Sequence, residues 1–127
     1  MRVYETVLYA ADVPATARWY ADVLGLRLVD GPDELAAAFR LDDASMLLLF
    51  DPGLASRPGR PVPSHGTSGP GHVAFATDSL AEWQGRFRER GVEIELDNEW
   101  PQGGRSLYVR DPAGNSVELV EGDLWPR

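Results

Sequence analysis

The chain has 127 residues, 43% of them hydrophobic, enough for one compact unit, and no apolar run approaches the roughly 20 residues of a membrane span. A formal net charge of -8 argues against nucleic acid or an anionic membrane as partner, because phosphate binding needs a clustered basic face. Cysteine is absent and all 12 basic residues are arginine, which excludes disulfides, thiolate nucleophiles, zinc–thiolate sites and lysine chemistry.

Met1-Arg2-Val3-Tyr4-Glu5 lacks the apolar region of a secretory signal, and a cytoplasmic protein is expected. Residues 3–9 are β-rich and predict a strand. Asp12 then serves as N-cap and Pro14 falls in the first helical turn, with Ala17, Tyr20, Ala21 and Leu24 at helical spacing before Gly25 stops the helix. Leu26–Val29 begins a second strand, and two more are expected around 35–41 and 45–50, with Asp42-Asp43 as the turn between them. Residues 52–71 are rich in Pro, Gly and Ser and predict a linker without regular structure. His72–Ala76 reads as a strand, and Asp78 or Ser79 caps a helix through Trp83 and Phe87, both expected in the core, to Gly91. Strands are expected at 92–96, 104–110 and 116–120, with Asp111-Pro112-Ala113-Gly114-Asn115 as a tight turn.

The two halves repeat one another. Tyr9-Ala10-Ala11-Asp12, followed by Ala15, Gly25, Leu26 and Leu28, is matched by Phe75-Ala76-Thr77-Asp78, followed by Ala81, Gly91, Val92 and Ile94. The expected fold is α+β: a βαβββ module over 1–51, a linker over 52–71 and a second βαβββ module over 72–127. Neither module is large enough to bury both faces of its sheet, so the open faces are expected to line a shared cleft, paired within one chain or swapped between two.

Strand alternation puts Glu5, Val7 and Tyr9 on one face; His72, Ala74 and Ala76 on one face; Ser116, Glu118 and Val120 on one face; and Ser106, Tyr108 and Arg110 on one face. A charged group buried on such a face needs pairing or coordination. Glu5, His72 and Glu118 supply oxygen and imidazole donors suited to a divalent first-row ion, with positions left open for substrate. The same residues also permit a plain hydrogen-bonded His–Glu pair with no metal.

The double βαβββ order resembles the vicinal oxygen chelate superfamily, which includes glyoxalase I, extradiol dioxygenases, fosfomycin-modifying enzymes and bleomycin-resistance proteins. The residues that carry the likeness are Glu5-Thr-Val-Leu-Tyr-Ala-Ala-Asp12, the helix Ala17-Arg-Trp-Tyr-Ala-Asp-Val-Leu-Gly-Leu26, Gly69-Pro-Gly-His-Val-Ala-Phe75, and Tyr108-Val-Arg-Asp-Pro-Ala-Gly-Asn-Ser-Val-Glu-Leu119. The resemblance implies four metal-facing positions, here Glu5, Leu48, His72 and Glu118. Leu48 stands where glyoxalase I-like members have Glu and cannot coordinate, so the implied ligands are Glu5, His72 and Glu118, and the implied ion is Mn, Fe, Ni, Co or Zn.

The implied activity is a metal-dependent lyase or isomerase, or a dioxygenase, on a small-molecule substrate, in a homodimer. Glu118 or Glu5 would double as a base, Tyr108 would donate a hydrogen bond toward the substrate, Arg105, after Gly103-Gly104, would clamp a carboxylate or phosphonate, and Leu48 would touch the substrate. The rival is a metal-free drug-binding protein of the bleomycin-resistance type. His65 reads either as an acid–base group over the cleft or as a surface residue, and Trp19, Trp100 and Trp125 as cleft walls or dimer contacts.

Overall fold

A computed structural model describes residues 1–63, 65, 69–101 and 103–125. Ser64, Gly66, Thr67 and Ser68 of the expected linker lie outside these. The chain divides into two compact units, Met1–Gly71 with Pro112–Gly114, and His72–Asp111 with Asn115–Arg127. Each contains one four-stranded sheet. No helix among the described residues is long and apolar enough to cross a membrane.

In the first unit, β1 (Glu5–Tyr9), β2 (Arg27–Asp30), β3 (Ala36–Arg40) and β4 (Met46–Phe50) form a sheet of order β1-β4-β3-β2. β1 runs parallel to β4, with Glu5 opposite Met46 and Val7 opposite Leu48. One face carries Leu8, Ala37, Phe39, Leu47 and Leu49, all buried. Helix α1 (Val13–Asp22) packs on this sheet through its own buried Val13, Thr16, Ala17 and Tyr20, and the Tyr20 and Phe39 rings lie 6.0 Å apart. Each large apolar side chain buried in this way contributes about 1.5–3 kcal/mol. Asp12 caps the helix as expected, its carboxylate accepting from Ala15 N at 3.0 Å.

The linker is not free of regular structure. Pro52–Ala55 forms one turn of helix, α2, because Asp51 Oδ1 accepts from Leu54 N at 2.9 Å and Pro52 follows the cap. This is the cap-then-proline arrangement of α1 on a smaller scale.

In the second unit, β5 (His72–Ala76), β6 (Leu96–Glu99), β7 (Arg105–Arg110) and β8 (Ser116–Glu121) form a sheet of order β5-β8-β7-β6. Leu107, Val109, Val117 and Leu119 are buried on the face that meets Leu80 and Phe87 of helix α3 (Leu80–Glu89). Trp83 stays half-buried, with the Arg86 guanidinium 5.5 Å from its ring centre, so only Phe87 of the expected pair is core. Ser79 is the N-cap residue, but its side chain makes no capping bond. Leu80 N instead donates to Glu121 Oε2 at 3.0 Å, so the last strand supplies the cap.

β6 starts four residues later than expected. Val92 N bonds back to Phe87 O at 2.8 Å, which spends the start of the alternating stretch on ending the helix, and pairing begins with Leu96 opposite Tyr108.

The turn between β7 and β8 is closed by bonds between its two end residues. Asn115 N and Nδ2 donate to the two Asp111 carboxylate oxygens, each at 2.8 Å, and Asp111 N donates to Asn115 O at 3.1 Å. Gly114 sits at φ 87°, where a side chain would be strained. This closure puts Tyr108 opposite Glu118, and the parallel pairing of β5 with β8 puts Ala74 opposite Glu118 and His72 opposite Ser116.

Both helix caps are readily removed. Asp12→Ala and Glu121→Ala should each cost about 1 kcal/mol, read as a lower urea midpoint with an unchanged slope. If Glu121→Ala leaves the midpoint where it was, the strand-supplied cap contributes nothing.

Candidate metal centre

The expectation that Glu5, His72 and Glu118 would all be buried holds for Glu118 alone. Its side chain is 8% exposed against 49% for His72, and Glu5 is exposed at the head of β1. His72 and Glu118 are brought together, with His72 Nε2 3.2 Å from Glu118 Oε2. The other imidazole nitrogen, Nδ1, lies 3.1 Å from Ser116 O.

That second contact fixes the ring's chemistry. A carbonyl oxygen only accepts, so Nδ1 carries a proton and donates it to Ser116. In the neutral ring, Nε2 then presents a lone pair to a carboxylate oxygen. A proton shared between the two atoms, or a metal ion, would satisfy both at this distance. Ligands about 2.0–2.2 Å from one ion and at right angles to each other lie about 3 Å apart, close to the observed spacing. A backbone carbonyl behind the far ring nitrogen is also the usual outer support of a metal-binding histidine. The pair offers two donors of the kinds a divalent ion takes, and no more than two. Among the described residues no group of three or more His, Asp or Glu is gathered that could hold one.

Glu118 is satisfied on its other side. Ser106 Oγ donates to Oε1 at 2.5 Å, and Ser106 in turn accepts from Trp100 Nε1 at 2.8 Å. Sequence reading put Ser106 on the face of Tyr108 but gave it no part in the site, and Trp100 was expected as a wall or interface. The signal for Ser106 was present as a hydroxyl two residues from Tyr108 on a strand whose face carries Glu118.

Tyr108 stacks alongside His72, with ring centres 6.2 Å apart and planes 22° from parallel. Burial, then a hydrogen bond to Glu118 and its negative charge, hold the phenol above the ordinary tyrosine value, outweighing an opposing hydrogen bond from Ser106. Tyr108 is therefore a protonated donor across the neutral range. Arg105 is held by Asp97 through two contacts of 2.7 and 2.8 Å, made by Nε and Nη2, so this edge of the guanidinium is already committed to a carboxylate.

In the first unit, Leu48 is half-buried beside Val7. His65 bonds through Nδ1 to the Tyr9 hydroxyl at 2.6 Å and lies edge-on to Phe50, ring centres 5.2 Å apart. Burial raises the Tyr9 phenol above the ordinary tyrosine value, so it stays protonated in this contact.

Comparison with known proteins shows the family. The family model for the Glyoxalase/Bleomycin resistance protein/Dioxygenase superfamily matches residues 2–119. The chain belongs to this superfamily. The crystal structure of lactoylglutathione lyase from Agrobacterium tumefaciens is similar at 43% identity and a TM-score of 0.91, covering 98% of this chain and 96% of that one. Among curated superfamily relatives, biphenyl-2,3-diol 1,2-dioxygenase 3 of Rhodococcus globerulus is 32% identical over 93% of the chain. The chain spans 62% of that dioxygenase's length. Lactoylglutathione lyase of Salmonella typhimurium is 27% identical, over 95% of this chain and 93% of its own.

The raised phenol makes an alkaline prediction. A group whose folded value is raised contributes stability that is present below the ordinary tyrosine value of about 10 and is lost as pH rises through the folded value. Ultraviolet titration of Tyr108→Phe should therefore lose a phenol that ionises later than about 10. Loss of an ordinary, early phenol instead would show that Glu118 and burial do not act on Tyr108.

Proposed function

We propose that this superfamily member is a divalent-metal-dependent enzyme of the glyoxalase-like lyase or isomerase kind, acting on a small molecule with two neighbouring oxygens. The observation that carries the reading is the His72 Nε2 lone pair facing Glu118 Oε2 at 3.2 Å, with the ring's tautomer set by Ser116 O. Similarity to lactoylglutathione lyases supports the lyase class, and similarity to a biphenyl-2,3-diol dioxygenase supports a dioxygenase as the second reading.

His72 and Glu118 hold the ion in this reading, and Glu5, at the strand position equivalent to His72 in the repeat, is the proposed third ligand. Such an ion supplies Lewis acidity toward substrate oxygens, and Mn, Fe(II), Ni, Co and Zn all suit two carboxylates and an imidazole. Leu48 adds hydrocarbon rather than a fourth donor. Tyr108 keeps its proton and donates toward negative charge developing on the substrate. Glu118 is both ligand and acceptor, and Glu5 is the carboxylate proposed to take up a substrate proton if it leaves the ion. Arg105, whose Nε and Nη2 are paired with Asp97, is proposed to meet an anionic substrate group.

Stripped protein titrated with Co(II) or Ni(II) should bind about one equivalent, and His72→Ala should weaken binding by at least about tenfold. Glu5→Ala should do the same if its carboxylate coordinates. Reloaded protein is then assayed with lactoylglutathione and with biphenyl-2,3-diol, which separates lyase from dioxygenase. Wild-type protein that binds no ion would leave a hydrogen-bonded His72–Glu118 pair and favour a metal-free drug-binding role.

A further inference from the structure

The segment after α2 brings two arginines to one place without giving either a counter-ion. Arg57-Pro58-Gly59-Arg60 has the residues of a type II turn, with proline second and glycine third, and Gly59 sits at φ 83° as the third position requires. Such a turn holds the Cα atoms of its first and last residues within about 7 Å. Arg57 and Arg60 are those two residues. Both line a hollow of about 420 Å³ whose other walls include Leu35, Leu54, Pro58 and Pro61. A chain with 20 acidic residues to 12 arginines has carboxylates to spare, yet none is among the described residues that line this hollow.

Arg60 is the better fixed of the two. Its Nη1 donates to Ala55 O at 2.8 Å, and its Cζ lies 5.9 Å from the centre of the Phe50 ring. Both partners are neutral, so they orient the side chain and leave its charge uncompensated. The ordering cost that an anion would otherwise impose on this long side chain is thus met in advance. Arg57 is exposed and also borders a second hollow lined by Glu34 and Asp51. Neither arginine is in an ion pair among the described residues.

We infer that this hollow binds a small organic anion, its carboxylate or phosphate group held by Arg60 and Arg57 and its hydrocarbon laid on Leu35 and Leu54. A guanidinium fork matches the paired oxygens of either oxyanion. The apolar walls give such a ligand an advantage over a bare ion, and the size is that of ordinary ligand pockets, about 300–1,000 Å³. The site lies wholly within the first unit and makes no use of His72 or Glu118.

The test is a nitrogen–proton correlation NMR titration of the metal-free protein with hexanoate, hexyl phosphate, inorganic phosphate and hexanol. Either hexyl anion should give saturable shifts centred on residues 54–61, inorganic phosphate weaker binding, and hexanol none. The tighter of the two hexyl anions identifies carboxylate or phosphate as the group recognised. Arg60→Gln should weaken binding by at least about tenfold, the loss expected when one charged hydrogen-bonding partner is removed. Arg57→Gln should weaken it less, and it reads the same hollow should Arg60→Gln disturb α2. His72→Ala should bind the anions as wild type does, which separates this hollow from the proposed metal centre.

Absence of saturable shifts with both hexyl anions would overturn the assignment, as would equal binding of hexanol. Wild-type affinity in folded Arg60→Gln and Arg57→Gln, or binding lost in His72→Ala, would overturn it too.

Discussion

A buried carboxylate must be matched oxygen by oxygen, and Glu118 is where that requirement organises the second unit. Its Oε1 is held by Ser106, its Oε2 faces His72, and the Tyr108 phenol bonds to it as well. None of these contacts is local in sequence. They meet only because β8 lies between β5 and β7 in fixed register, so one residue of the central strand is flanked by Ala74 on one side and Tyr108 on the other. A slip of one residue on β8 would turn Glu118 into the helix-packed face beside Leu107 and Val109 and turn Leu119 out of it. The Asp111–Asn115 turn, with both carboxylate oxygens and both asparagine donors used, is what opposes that slip. The motif that looks most like a signature is thus a register lock, and its functional effect is exerted through the alignment it imposes.

The two sheets carry the same backbone pattern with different chemistry. Glu5 and Leu48 in the first unit stand where His72 and Glu118 stand in the second: the first strand's residue is opposite Met46 or Ser116, and the next facing pair is Val7 with Leu48 or Ala74 with Glu118. In the second unit that register delivers an imidazole beside a carboxylate. In the first it delivers a carboxylate beside hydrocarbon, with the polar contacts moved along the strand to Tyr9 and His65. The repeat preserves the places at which chemistry can be put, and the side chains decide how much each place does.

Period and caps made most of this architecture legible in the sequence. The alternation of Ser116, Glu118 and Val120 gives the face of Glu118, and Asp12 with Pro14 gives the start of α1, because both signals are strictly local. What escaped depends on partners far along the chain. α3 is capped by Glu121, 41 residues away, so no reading of Asp78-Ser79 reveals it. Trp83 has a core residue's helical spacing yet stops half-buried under Arg86, since a planar cation covers the ring as an apolar neighbour would. α2 was within reach, because Asp51-Pro52 repeats the cap logic of α1, but the prolines that follow outweigh a single turn by count. For the site, side-chain direction was legible and hydrogen-bond polarity was not: Ser106 could be placed on the right face, whereas its acceptance from Trp100 depends on where the β6–β7 hairpin closes.

Polarity is also what separates this centre from an ordinary buried ion pair. In an ordinary His–Glu pair either imidazole nitrogen can face the carboxylate, and the carboxylate can offer either oxygen. Here Ser116 O removes the first freedom and the Trp100–Ser106 chain removes the second. Fixing both partners in advance costs conformational entropy that a salt bridge alone returns poorly when one partner is half exposed, because solvent screens it. Such preorganisation is repaid when the species between Nε2 and Oε2 demands directed lone pairs. A proton demands one short axis, whereas a metal ion demands two converging donors and leaves its other positions free. The constraints on His72 and Glu118 suit converging donors, which is why a metal centre is proposed for this face.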